Sequence, residues 1–275
     1  MANSMIYTRN NATYRSVGVW SRESGSDATG YDVTNLNNEI PAQTWRSANK
    51  TDPIKVRCDM GTTITPTFVA IIGHNLSGGA VSFRGDTNNS IAGSTELASI
   101  SIPTNYATHP TMFATFSNST ARRYYHLAIN DASAGGTATS NDSYYEIGEI
   151  VIGAWEEFTS DTTLPGNSAP IRRTTDRQLV LHRMQDGSVY RVKRGVSRVL
   201  QLQWPNVPSA VQATLEALHA ALYGGMESFC VIPNTSDPLS CHYGFFDGPL
   251  DVTSFSEGNY SIGARFQEDS LGESV

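Results

Sequence analysis

Phe68 to Ile72 is an unbroken apolar run of strand length, as expected for a strand buried on both faces. Gly73, His74 and Asn75 follow, then Ser77, Gly78 and Gly79, residues suited to turns. Ala80 to Phe83 alternates apolar and polar positions, the pattern of a half-buried strand. Together these predict a hairpin at the centre of a β-sandwich.

Other strands follow from the same periodicity. Ile54, Val56 and Cys58 alternate with Lys55, Arg57 and Asp59, so 54–60 reads as a strand with one wet face, ended by Gly61. Weak strands are expected around Ile6 and at 17–20, and 21–44 reads as loop. Further strands are expected at 96–102 (stopped by Pro103), 112–116, 122–129 and 144–153. Residues 156–170 have linker composition, with Pro165, Gly166 and Pro170.

Beyond the linker, 178–184 and 189–194 flank Asp186-Gly187, a type I′ hairpin signal because both central positions need positive φ. A third strand is expected at 196–204. Val211, Leu215, Leu218 and Leu222 then recur at helical spacing, predicting a helix over 209–223. Pro208 suits its first turn, Ser209 with Gln212 could make a capping box, and Gly224-Gly225 stop it. Strands at 228–232, 241–246 and 259–267 complete the second half. The expected fold is mainly β: a sandwich over 1–155, a linker over 156–170, and over 171–275 a smaller β-sandwich with one α-helix.

Composition narrows the partners. The formal net charge of -7 opposes non-specific nucleic-acid binding and docking on an anionic membrane. No run is long and apolar enough for a membrane span, and the first residues lack a basic region followed by an apolar one. The three cysteines, Cys58, Cys230 and Cys241, are too few and odd in number for a disulfide framework; buried reduced thiols in a chain made in a reducing cytoplasm are expected.

Several segments, taken in order, carry a resemblance: Trp45-Arg46-Ser47, a strand ending Asp59-Met60-Gly61, Phe68 to Ile72, Arg123-Tyr124-Tyr125, and Glu146 to Gly153. This order over about 10–155 resembles the discoidin-like (F5/8 type C, galactose-binding-like) jelly roll. Ile71 to Leu76 also looks like a segment of tail proteins of tailed bacteriophages. The order of three strands, a helix and three strands over about 171–270, with 200–204, 227–229 and 260–268, resembles the β-sandwich of phage tail tubes, distal tail proteins and tail hubs. Many discoidin domains are secreted and closed by a disulfide, a feature this chain lacks.

Candidate chemistry is sparse. There is no nucleophile elbow, phosphate loop, His-Glu-x-x-His or Cys-x-x-Cys, and the six histidines are scattered. No enzyme activity and no cofactor are expected. Glu146 and Glu149 are three apart, so as a carboxylate pair on one strand face they would need a bulge at Gly148; otherwise one is exposed and one meets an arginine. Asp131 and Asp142 could hold Ca²⁺, but without a spaced acidic loop motif. Trp45, Arg46, His74 and Asn75 flank predicted turns and form the candidate carbohydrate site; against this, Trp45 also reads as a core aromatic, and His74-Asn75 as turn residues. His219 reads as a boundary histidine beside the helix stripe.

From Arg172 to Arg198 lie eight basic residues opposed only by Asp176 and Asp186. Of these, Arg183, Arg191, Lys193 and Arg194 are expected at a subunit interface, meeting acidic residues of a neighbour. The resemblances imply a structural component of a phage tail tip or baseplate, made in the host cytoplasm and carried in the virion tail. Its partners would be other tail proteins and copies of itself in a ring of three or six, with the jelly roll turned outward to a fibre or a host-surface glycan. The alternative is a soluble, lectin-like carbohydrate-binding protein.

Overall fold

The computed structural model describes residues 5–9, 18–38, 40–104, 111–158, 172–183, 189–222, 224, 227–232, 241–256 and 258–269. The chain is mainly β and divides into two compact units, one formed mostly by residues 5–157 and one mostly by 158–275.

The N-terminal unit has two principal sheets. The four-stranded sheet runs Met5–Arg9, Glu149–Phe158, Phe68–Ile72, Thr111–Thr115; the five-stranded sheet runs Val19–Ser24, Lys55–Ile64, Arg122–Ala128, Ala80–Asp86, Thr95–Ser101. Val69, Ile71, Ile150 and Ile152 from the first share one apolar core with Trp20, Val56, Cys58, Phe83, Tyr125 and Leu127 from the second. The unit is therefore a β-sandwich. Alternation in Lys55–Ile64 places Val56, Cys58 and Met60 inside and leaves Lys55, Arg57 and Asp59 on the wet face. Burial pushes the Cys58 thiol up, far from any reactive range. All three cysteines are buried, and none is in a disulfide.

The central apolar run is a fully buried interior strand, paired on both edges. The predicted hairpin, however, is not formed. Ala80–Asp86 belongs to the opposite sheet. Between them the chain crosses the sandwich through Leu76–Ser77, which pairs with Thr139–Ser140. Gly78 and Gly79 turn it with φ of 71° and 75°. A Cβ on Gly79 would stand 2.1 Å from the Thr137 carbonyl oxygen, so the crossing needs glycine for room as well as for φ. The expected loop at 21–44 also holds structure: Val19–Ser24 is an edge strand, and the 3-10 turn Val33–Asn37, capped by Asp32, buries Val33 and Leu36.

In the C-terminal unit, Asn259–Glu268 is the central strand. Val189–Pro208 flanks it on one side, and His242–Phe246 and Asp251–Ser256 share the other. Phe229–Val231 and Arg172–Arg183 are the outer strands of the sheet path. The separate strands expected at 189–194 and 196–204 are one strand of 20 residues. Leu200, Leu202 and Trp204 are buried while Gln201 and Gln203 are exposed. The helix Ser209–Ala221 buries Leu215 and Leu218, and Leu222 continues the stripe. Its start differs from expectation. Pro208 is itself the extended N-cap, and no side chain caps the first turn, so the Ser209–Gln212 box does not form. Gly224, at φ 71°, closes the helix by donating to the His219 carbonyl at 2.9 Å. Phe229 packs against Phe246 and Phe266, with ring centroids 4.6 and 5.2 Å away. Asp251–Ser256 is a strand that the sequence pattern does not reveal, since Asp251, Thr253 and Ser254 stay exposed.

Val189–Pro208 meets Asn259–Glu268 only from Val199 onward. Before that, among the described residues, it pairs with Arg172–Arg183 alone, from Arg183↔Val189 to Asp176↔Ser197. This part is a two-stranded ribbon extending past the sheet. Arg183, Arg191, Lys193 and Arg194 lie on it. The Asp186-Gly187 turn and most of the 156–170 linker lie outside the described residues; 156–158 continue the strand Glu149–Phe158.

Candidate functional site

At one edge of the N-terminal sandwich, Trp45–Arg46 pairs antiparallel with Glu146–Ile147, with Arg46 opposite Glu146 and Trp45 opposite Ile147. Side chains opposite one another share a face. Trp45 and Ile147 enter the core, both 0% exposed. Arg46 and Glu146 form an ion pair: Nε lies 3.1 Å from Oε2, and Nη2 donates to Oε1 at 3.2 Å. The guanidinium also packs against two phenol rings, 4.1 Å from the Tyr31 centroid and 5.0 Å from that of Tyr144. Arg46 Nε is buried, and its approach to Glu146 is a charge contact without hydrogen-bond geometry, so Nη2 makes the hydrogen bond of the pair. Tyr31, Arg46, Tyr144 and Glu146 are all half-buried, so this group forms part of the surface.

Asn75 fixes the group from beneath. Its Nδ2 donates to Asp142 Oδ2 at 2.8 Å and to the Tyr144 carbonyl at 3.0 Å, while its Oδ1 accepts from the Glu146 N–H at 2.7 Å. One side chain thus ties the 73–75 turn to the segment carrying Tyr144 and Glu146. Trp45 is held similarly: its Nε1 donates to Asp27 Oδ1 at 2.9 Å, and Asp27 also pairs with Arg22 at 2.7 Å. His74 is 4% exposed. Its Nδ1 accepts from the Leu76 N–H at 3.2 Å, leaving the proton on Nε2, which is buried without a partner. Burial pushes its pKa down to about 4, so the ring is neutral near pH 7.

Of the four predicted carbohydrate-site residues, Arg46 reaches solvent. Trp45, His74 and Asn75 lie beneath it as core or support. Tyr31, Tyr144 and Glu146 were not singled out as site residues by the sequence. Tyr31 sits in a segment without periodicity, and in the sequence Glu146 stands out only beside Glu149. Those two glutamates are not a pair. Glu146 meets Arg46, whereas Glu149 is 0% exposed, not on the surface as expected, because Gly148 ends one strand pairing and Glu149 begins another in the four-stranded sheet.

Asp131 accepts from the Ser133 hydroxyl at 2.5 Å, pairs with Lys55 at 2.9 Å and accepts from the Ser133 N–H at 3.0 Å; these contacts, the hydroxyl foremost, hold its carboxyl below the usual range. Asp142 is bonded by Asn75. Among the described residues, no group of three or more His, Cys, Asp and Glu side chains is gathered as a metal would need. His219 lies beside the helix stripe with Nε2 3.2 Å from the Gly248 carbonyl oxygen. No described helix is long and apolar enough to cross a membrane.

No family model matches the chain, and no curated protein matches its sequence. Solved structures of similar shape cover about half of it. The family 32 carbohydrate-binding module of C. perfringens NanJ, in complex with galactose, is 13% identical and covers 55% of this chain and 99% of its own, with a TM-score of 0.41. Chitosan-binding module 2 of a Paenibacillus sp. chitosanase/glucanase, in complex with chitotriose, is 16% identical and covers 50% and 97%, with a TM-score of 0.40. CpGH89CBM32-5 of Clostridium perfringens, in complex with GalNAc-β-1,3-galactose, is 7% identical and covers 51% and 98%, with a TM-score of 0.40.

Proposed function

We propose that this chain is a structural component of a phage tail tip or baseplate. In this reading the C-terminal unit forms or joins a ring around the tail axis, and the N-terminal sandwich is displayed outward for fibre attachment or host-surface glycan contact. The observation that supports it is the ribbon of the C-terminal unit. From Asp176↔Ser197 to Arg183↔Val189 it has no third strand among the described residues. An isolated two-stranded ribbon is marginal in water, so it needs a surface to cover it. A neighbouring copy, placed head to tail, supplies one and closes into a ring of three or six. Arg183, Arg191, Lys193 and Arg194 then face acidic residues of that neighbour, with Asp247, Asp251 and Glu257 as candidates. The test is to purify the chain with its neighbouring tail proteins and image the product by negative stain. Co-purification with a ring is expected; a chain that stays monomeric and alone contradicts the reading.

The Arg46 group favours a second reading, a soluble lectin-like protein. A half-buried guanidinium held by a carboxylate and bordered by two phenols offers fixed donors, acceptors and ring edges, the groups that sugar hydroxyls and pyranose faces require. Glycan-array binding lost in Arg46→Ala with Tyr144→Ala is expected if this surface works alone. Binding that survives both changes removes it from consideration.

A further inference from the structure

His126 stands on the face of the five-stranded sheet that points away from the sandwich core. Its neighbours Tyr125 and Leu127 are core residues, and side chains alternate along a strand. Yet His126 is 0% exposed. Segment 87–94, which joins Ala80–Asp86 to Thr95–Ser101, is attached to this face through charged side chains. Glu23 Oε2 lies 2.8 Å from His126 Nδ1, and Glu23 Oε1 accepts the Ile91 N–H at 2.8 Å. Arg84 Nε donates to Ser94 Oγ at 2.8 Å and Nη2 to the Ser94 carbonyl at 2.5 Å. Ser94 is buried and bonds back to the Ile91 carbonyl, whereas 87–90, 92 and 93 are exposed. One carboxylate thus joins a wholly buried imidazole to the backbone of a surface segment.

The ring is neutral in this arrangement, with the Nδ1 proton donated to Glu23. His126 Nε2 is buried and has no hydrogen-bond partner, and the same holds for Arg57 Nε. Arg57 and Arg84 are the in-register partners of His126 on the two adjacent strands. Arg57 reaches Ser21 Oγ at 2.8 Å, while Arg84 also approaches Glu96 at 3.5 Å. Asp86 is the remaining charged group near the ring, and segment 87–94 carries no titratable side chain.

We propose that Glu23 and His126 form a proton-operated latch that holds segment 87–94 over the outer face of the five-stranded sheet. One proton taken up at Nε2 makes the ring a cation with two donors. The Nδ1 donor keeps Glu23, but the Nε2 donor is buried without an acceptor. A buried donor left unpaired is costly, and the Arg57 charge adds to the cost while Glu23 and Asp86 offset it only in part. Lifting 87–94 breaks the Glu23–Ile91 bond and admits water to Nε2 and to Arg57 Nε, relieving both. Burial holds the ring pKa below its ordinary value, with Glu23 opposing that shift only in part, so the latch is shut near neutral pH and opens on acidification.

The experiment is amide exchange at Ile91, followed by NMR between pH 7.5 and 5 and corrected for the intrinsic pH dependence of exchange, with Ile71 of the core strand as the internal control for global unfolding. In the wild type, Ile91 protection should fall about tenfold or more while Ile71 stays protected. In His126→Gln, which can still donate to Glu23 but does not titrate, Ile91 protection should be flat. Ring ¹⁵N shifts of His126 in the wild type give a second measurement should that variant fail to fold: protonation should track the loosening of Ile91. Protection at Ile91 that is independent of pH overturns the proposal. So does an equal fall in His126→Gln, or loosening while the ring stays neutral.

Discussion

Phe68–Ile72 and Arg172–Arg183 are both paired strands, and their surroundings are opposite. The first has a strand on each edge, and all its side chains are buried. The second pairs on one edge among the described residues, most of its length along a ribbon that no third strand supports. A strand closed on every side can contribute only to stability. A strand with an open edge presents unpaired backbone groups and invites a partner. In the proposed reading, the N-terminal sandwich is the part displayed and the C-terminal unit, with its uncovered ribbon, is the part that joins a neighbour.

The strongest way to break this contrast is Ile71→Asp. An unpaired charge in that core costs several kcal/mol, on the order of a domain's whole stability. The variant should be insoluble or lose the N-terminal melting transition; soluble protein that melts normally would misplace the core. Gly79→Ala comes next. It combines φ of 75° with a carbonyl oxygen 2.1 Å from the new Cβ, so the crossing between sheets must shift. A loss of about 2–4 kcal/mol in a denaturant midpoint is expected, and no loss would show that the crossing is pliable.

Acid sharpens the same contrast. His74 titrates at about 4 in the folded chain against 6.5 unfolded. Because the folded value is the lower one, the unfolded chain binds the proton first. Stability is whole above pH 6.5 and declines as pH falls to about 4, by about 3 kcal/mol in all. His126, shifted in the same direction, adds to the decline. Urea midpoints between pH 7 and 4 should follow this slope, and His74→Asn should flatten it. An equally steep slope in that variant assigns the effect elsewhere. Asn75→Ala should cost about 2 kcal/mol, since three bonds go and the Glu146 N–H loses its acceptor. Its distinguishing mark is a loosened Tyr144, read as faster ring or amide dynamics there than in the core. The smallest effect on folding is expected from Arg191→Glu with Lys193→Glu. In the proposed reading these charges serve assembly and not the fold, so melting should be nearly unchanged while assembly is lost.

How much of this was readable in the sequence differs between the same two regions. Period-two alternation gave Lys55–Ile64 its inward Val56, Cys58 and Met60, and the unbroken run gave Phe68–Ile72 its double burial. Helical spacing located Leu215 and Leu218. What periodicity does not encode is which sheet a strand joins. The two strands around Gly78-Gly79 look like hairpin partners, yet two left-handed glycines send them to opposite sheets. Asp251–Ser256 was missed because Asp251, Thr253 and Ser254 are polar and exposed and Val252 is only half-buried, so no alternation marks it. The Arg46 group was visible only as Arg46 itself. Tyr31 and Tyr144 reach it from segments 15 and 98 residues away, a distance that no local pattern records.

The role of the ribbon is tested most directly by an electron cryomicroscopy map of the assembled particle that resolves residues 176–197. The expected result is a ring of three or six copies with the ribbon buried between neighbours and Arg191 and Lys193 facing acidic side chains. A particle in which the ribbon faces only solvent would contradict it.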